Sequence, residues 1–305
     1  MIFEPKIFYK TYLDDFHKFK AILYKKVLED LPKYEMEMFG QELEKENRDA
    51  FRRTIKSDLR QTYFHSIESF FEIFFALNPT DKPNFDDLNI LFNLTNSNWK
   101  VNYDKITKIA SGDTSLDFLD DELTYNGHIT TVGHYLFYYG LFDKTKLPND
   151  FFEKAKQSID AIKYGIKIIA QDFVDREEYN SYKHGLRIIP ATSELMLADA
   201  ETMEIKLRWN LEDSMSFYSK TKDPNELKIN TKLFDTDRDY SMTYFCSNLI
   251  SNLIFTRQVS MYKEQKIKEN KQMAVAFFGK KEIEDCNKMN VEIQDLVYSV
   301  KRVTT

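Results

Sequence analysis

Residues 55–77 read Ile-Lys-Ser-Asp-Leu-Arg-Gln-Thr-Tyr-Phe-His-Ser-Ile-Glu-Ser-Phe-Phe-Glu-Ile-Phe-Phe-Ala-Leu, and their spacing decides the fold. Ile55, Leu59, Tyr63, Ile67, Phe70, Phe74 and Leu77 recur every three or four positions, the period of one face of an α-helix. The stretch ends a breaker-poor run that begins at Tyr34 and holds one glycine, Gly40. Asn78-Pro79 closes it, because proline restricts the residue before it to extended backbone. A run this long, with this period, is a helix that buries one side.

Outward from it, the same period appears on both sides. Phe16, Phe19, Ile22, Leu23 and Val27 mark a helix between about Phe8 and Leu31, with Pro32 as its stop. Residues 84–140 read as shorter helices with turns at Asn96-Ser97-Asn98, Gly112 and Gly127. Asn149-Asp150 opens a second long helix with the stripe Ile159, Ile162, Ile166, Ile169 and Phe173. Its expected end is His184, with Gly185 as a left-handed cap and Pro190 beyond. From Thr192 to Thr236 polar and apolar residues alternate in Glu194-Leu-Met-Leu-Ala, Glu204-Ile-Lys-Leu-Arg, Ser214-Met-Ser-Phe-Tyr and Leu227-Lys-Ile-Asn-Thr-Lys-Leu, which predicts short antiparallel strands. Helices are expected again over 237–265 and 281–301. The expected fold is mainly α: a helical bundle with a small antiparallel β insertion near 192–236. A 45-residue insert buries little by itself, so residues 1–305 are read as a single helical domain that contains it.

Composition supports helices. Gly is 8 and Pro 7 of 305 residues, each under half the usual share of roughly 7% and 5%. Sandwiches, propellers and glycine-rich doubly wound sheets need more. Lys+Arg is 43 against Asp+Glu 49, a net charge of −6, so the chain as a whole is no polyanion coat, although one cleft can still be basic. Two cysteines, Cys246 and Cys286, cannot make a disulfide framework. No apolar run approaches the roughly 18 residues of a membrane span, and the start MIFEPKIFYK lacks a signal-peptide pattern. A cytoplasmic protein with no membrane association is expected. Glycine-rich phosphate loops, His-Glu-x-x-His and EF-hand patterns are absent, and no cofactor or metal is expected.

The informative positions are polar residues on apolar faces. Arg60 falls inside the apolar arc of the 55–77 helix, between Ile67 and Phe71, and a guanidinium there needs a carboxylate, a carbonyl or a bound anion. His65 lies about 140° round the helix from it, on a strip with Gln61, Glu68 and Glu72. On the second long helix, Asn180 and His184 continue the Ile/Phe stripe and share its face. Each group needs a partner if it is buried, since leaving one unsatisfied costs roughly 1–3 kcal/mol. Structural roles account for the same residues: an ion-paired Arg60, a surface His65 and a satisfied polar pair at 180 and 184. His17, beside Asp14 and Asp15, reads as surface, His134 as core, and Cys246 as a buried inert thiol. The lysine-rich run from Lys263 to Lys271 reads as a solvated helix end.

Taken together, Arg60-x-x-x-x-His65 and Tyr179-Asn-Ser-Tyr-Lys-His184 resemble the HEPN superfamily, the helical nucleotide-binding domains of prokaryotic toxins, defence proteins and some nucleases. The resemblance covers about Lys56 to Arg187. Active members carry Arg followed four to six residues later by His, usually late in the domain, whereas here the pair is early. The resemblance implies a metal-independent endoribonuclease, a toxin or phage-defence effector, in which the ribose 2′-OH attacks the adjacent phosphate. Arg60 and His65 would be catalytic, His65 moving protons and Arg60 holding the phosphate. Asn180, Lys183, His184 and Arg187 would contact RNA or support the site. Such sites are built across a homodimer, so RNA and a second copy are the implied partners. The alternative is a non-catalytic HEPN-like module that binds a protein partner or a nucleotide. A third reading, a small-molecule enzyme using His184, requires a closed pocket around that residue.

Overall fold

The computed structural model describes residues 7–80, 86–174, 178–179, 181, 188–190, 194–199, 201–262, 275–290 and 295–301. The helices before the first strand are α1 (Ile7–Thr11), α2 (Phe16–Glu29), α3 (Leu31–Phe39), α4 (Lys45–Leu77), α5 (Ile90–Thr95) and α6 (Trp99–Ser111). A hairpin of β1 (Glu122–Tyr125) and β2 (His128–Thr131) leads into α7 (Val132–Phe137) and α8 (Phe151–Phe173). Then come β3 (Ile188–Pro190), β4 (Glu194–Ala198), β5 (Ile205–Asn210), β6 (Ser214–Lys220) and β7 (Glu226–Leu233). The chain continues through α9 (Thr236–Met261), α10 (Lys280–Asn287) and β8 (Asp295–Lys301). The fold is mainly α, a helical bundle with a small antiparallel β insertion.

Local chemistry explains several boundaries. Asp30 caps α3 by accepting the Lys33 N–H, and Pro32 sits in the first turn. The proline therefore opens a helix instead of stopping one, since the first turn needs no N–H donor. Gly40 ends α3 at φ 72°, with its N–H on the Met36 carbonyl, a left-handed cap that favours glycine. The β1–β2 turn is Asn126-Gly127, both at positive φ, the pairing that two-residue hairpins prefer. This hairpin lies where only short helices were expected.

Two further expectations need correction. The helix after Asp150 ends at Phe173, where the apolar stripe stops, and the Val174 N–H closes its last turn on Ala170. The expected helix over 281–301 is a short α10 followed by strand β8. Asp-Leu-Val-Tyr-Ser-Val-Lys alternates at period two, and β8 pairs with β7 from Glu226↔Lys301 to Lys232↔Asp295.

The chain divides into two compact units, Met1–Phe19 with Tyr63–Val174 and Ser241–Lys288, and Lys20–Thr62 with Asp175–Tyr240 and Met289–Thr305. The first unit has an aromatic core. Phe74 stacks on Phe70 at 5.4 Å and on Phe137 at 6.2 Å between ring centroids. The α8 stripe Ile159, Ile162, Ile166 and Ile169 is buried, as are His134 and Cys246. His17 is also buried and shares a 3.0 Å hydrogen bond with Ser69, so its charged sequence neighbours misplace it at the surface. Arg257 is wholly buried, donating from Nη1 to the carbonyls of Leu136 and Leu253. Its Nε faces Asp87 Oδ2 at 3.4 Å, an ion pair without an aligned hydrogen bond. Asp87 in turn accepts from Tyr135.

The second unit holds an antiparallel sheet of order β3-β6-β7-β8 and a separate β4–β5 ribbon. Inside the sheet, Ser216 and Thr231 pair hydroxyl to hydroxyl at 2.7 Å. Buried Glu35 of α3 receives Arg48 of α4 through Nε and Nη2. Among the described residues no helix is long and apolar enough to cross a membrane.

Candidate functional site

Arg60 projects from α4 in the second unit, as the apolar-arc reading of its position requires, and it meets two carboxylates. Its Nε donates to Glu178 Oε1 at 3.0 Å and its Nη1 to Asp239 Oδ1 at 2.5 Å. Nη2 reaches Glu178 Oε2 at 3.5 Å. Glu178 lies past the end of α8, and Asp239 lies in the first turn of α9. Lys232 of β7 adds a second cation, 2.8 Å from Glu178 Oε2. The segment after α8 and the start of α9 thus meet on the Arg60 guanidinium, and β7 joins them through Glu178.

Burial governs the electrostatics. The side chains of Glu178 and Asp239 are each 1% exposed, against 17% for Arg60 and 15% for Lys232. Burial raises the Glu178 pKa, but Arg60 and Lys232 outweigh it and hold the carboxyl below its usual range. For Asp239 burial wins. Its pKa is pushed up to about 6, with Arg60 and Arg238 pulling it down and Glu178 adding to the rise. The difference between the two acids follows from partners: both share Arg60, and Glu178 has in addition a direct ion pair with Lys232. A carboxyl that titrates near 6 has a suitable pKa for moving protons at neutral pH. Enclosure of both acids favours an ion-pair clasp over a reaction site.

The other candidates separate into two groups. His65, also on α4, is half-buried and five residues beyond Arg60, about 140° round the helix, so the two do not share a face. Asn180, Lys183, His184 and Arg187 lie outside the described residues. Arg60 pairs with Glu178, which stands two positions before Asn180 in the sequence. Among the described residues no cluster of three or more His, Cys, Asp or Glu is arranged to hold a metal ion.

Sequence reading missed Glu178, Lys232 and Asp239. Glu178 and Asp239 sit in runs of ordinary charged residues, Asp-Arg-Glu-Glu and Asp-Thr-Asp-Arg-Asp, where nothing in the period separates a buried acid from a solvated one, and Lys232 is one of the polar positions of an alternating strand. The available signal was Arg60, whose place in an apolar arc demanded an anion from elsewhere in the chain. No protein-family model, curated protein or solved structure matches this chain.

Proposed function

We propose that this protein is a non-catalytic helical module that works by binding, with a protein as its partner class. The observation that carries this reading is Arg60 itself, whose Nε and Nη1 are engaged by two buried carboxylates. A guanidinium committed in this way is a poor holder for a substrate phosphate, since the phosphate would have to displace an ion pair held out of water. The protein partner is supported by α2. Phe16 and Phe19, three residues apart in the first unit, are 49% and 64% exposed, a display of large apolar side chains on one helix face. A nucleotide partner remains the other form of this reading.

One observation favours the second reading, the HEPN-like metal-independent endoribonuclease acting as a toxin or defence effector on RNA. Arg60, of the first stretch that carries the resemblance, pairs with Glu178, the residue just before Tyr179 of the second. In that reading two copies would complete the site, His65 would move protons, and Asn180, Lys183, His184 and Arg187 would contact RNA.

The deciding experiment incubates EDTA-treated protein with labelled structured RNA and scores 2′,3′-cyclic phosphate ends. The binding-module reading expects no cleavage above a His65→Ala control. Cleavage by wild type that His65→Ala abolishes would replace it with the ribonuclease reading.

A further inference from the structure

Within the first unit a pocket of ≈ 380 Å³ opens between the segment following α7 and the last turns of α9. One wall is aromatic, formed by Tyr139 and Phe142. Thr256 and Ser260, four residues apart and so on one face of α9, also line it. The volume lies in the range of small-molecule sites, about 300–1,000 Å³.

The aromatic wall is set in place by its surroundings. The Arg257 guanidinium lies 4.6 Å from the centre of the Tyr139 ring, an attractive cation–π geometry. The Tyr139 and Tyr125 hydroxyls share a 2.7 Å hydrogen bond. Phe142 packs edge-on against Tyr139, with centroids 6.0 Å apart and planes at 76°. Gly140, between the two rings in sequence, has φ +78°, and a Cβ there would stand 3.0 Å from Ser260 Oγ. The backbone therefore runs close against α9 at a position that glycine alone fills without strain. A pre-positioned wall of this kind binds a ring without an added ordering cost.

The rim decides the charge of the occupant. Lys146 and Asp143 both line the pocket, and they pair with each other at 2.7 Å. Their charges cancel, which leaves His128 as the remaining basic side chain of the lining and no unpaired ammonium there to attract an anion. The Ser260 hydroxyl supplies a polar partner for the edge of a flat molecule, whereas the Thr256 hydroxyl already donates to the Asn252 carbonyl at 2.7 Å.

We infer that this pocket binds an uncharged planar heteroaromatic molecule of one or two rings, packed against the Tyr139–Phe142 wall with its polar edge toward Ser260. The inference is independent of the reading of Arg60, which lies in the other unit, and RNA cleavage or its absence does not bear on it.

The test is ligand-observed and protein-observed NMR on the full chain with adenine, indole and nicotinamide as neutral probes and benzoate as the anionic control. At least one neutral probe should bind with a dissociation constant below about 1 mM, and benzoate about tenfold more weakly or not at all. Ser260→Leu, which removes the hydroxyl, should weaken the neutral probe at least ~tenfold, with Ser260→Thr retaining binding and circular dichroism showing both variants folded. No binding by any of the three neutral probes, equal or tighter binding of benzoate, or binding indifferent to Ser260→Leu would overturn the inference. If Ser260→Leu fails to fold, Phe142→Leu is the substitute, with the same loss expected and the same indifference counting against it.

Discussion

Arg60 and Glu178, 118 positions apart in the chain, are joined by a 3.0 Å hydrogen bond from Nε to Oε1, and the same guanidinium reaches Asp239 through Nη1. One cation thus ties α4 to the segment after α8 and to the start of α9. Neither acid is exposed, so the strength of the clasp depends on every member being present. Removing one partner of a buried pair leaves the other charged and unpaired, which costs about 3–5 kcal/mol, whereas exposed pairs contribute little.

Asp239 should give the protein a distinctive pH dependence. Its pKa rises from 3.8 to about 6 on folding, so the folded state holds this proton more tightly than the unfolded chain. That contribution is fully present below the unfolded pKa and is lost as pH rises through the folded one. Glu178 acts in the opposite sense: its lowered pKa contributes stability above the unfolded value, lost as pH falls. Urea unfolding between about pH 4 and pH 7 should therefore show wild type losing stability relative to Asp239→Asn, by up to about 3 kcal/mol. Parallel pH profiles for the two proteins would show that Asp239 does not titrate in this range.

Gly165→Ala should destabilise the first unit although alanine is the better helix former. A Cβ at this position in α8 would stand 2.3 Å from Phe245 Cζ and 2.9 Å from its Cε1. Overpacking of this kind costs about 1–3 kcal/mol, more than the ~1 kcal/mol that alanine gains over glycine in a helix interior. Thermal unfolding checks it, with a lower Tm expected. An unchanged or higher Tm would mean that the α8–α9 contact yields easily.

Arg257→Lys should not preserve stability despite keeping the charge. The guanidinium holds the carbonyls of Leu136 and Leu253 from one nitrogen and stacks on Tyr135 and Tyr139. An ammonium lacks the planar fork that makes these contacts together. A loss of about 3 kcal/mol or more in chemical denaturation is expected, as for other broken buried networks. A near-wild-type midpoint would show that the charge alone suffices.

The helices were legible in sequence because burial on a helix writes a period. Tyr63, Ile67, Phe70 and Phe74 repeat at helical spacing and are all fully buried, and the α8 stripe reads as clearly. The strands of the β region were legible from their alternation, and β8 was not, because it is a single short alternating run that follows a helix and pairs with β7, far from it in the chain. Pro32 misled for a different reason: proline stops one helix and opens another with equal ease, and only the Asp30 cap distinguishes the cases. The need of Arg60 for an anion was legible. The identity of that anion was not, because Glu178 and Asp239 come from distant segments and their burial is a property of the folded chain.

The account rests on Arg60 being a structural clasp, and the most direct measurement is a double-mutant cycle between Arg60→Met and Glu178→Gln, read by equilibrium denaturation at neutral pH. Arg60→Met alone should cost about 3–5 kcal/mol, and the two changes should be coupled by about 2 kcal/mol, the scale for residues in one network. A folded Arg60→Met protein within about 0.5 kcal/mol of wild type, with additive effects in the cycle, would contradict the clasp and leave Arg60 available for a ligand.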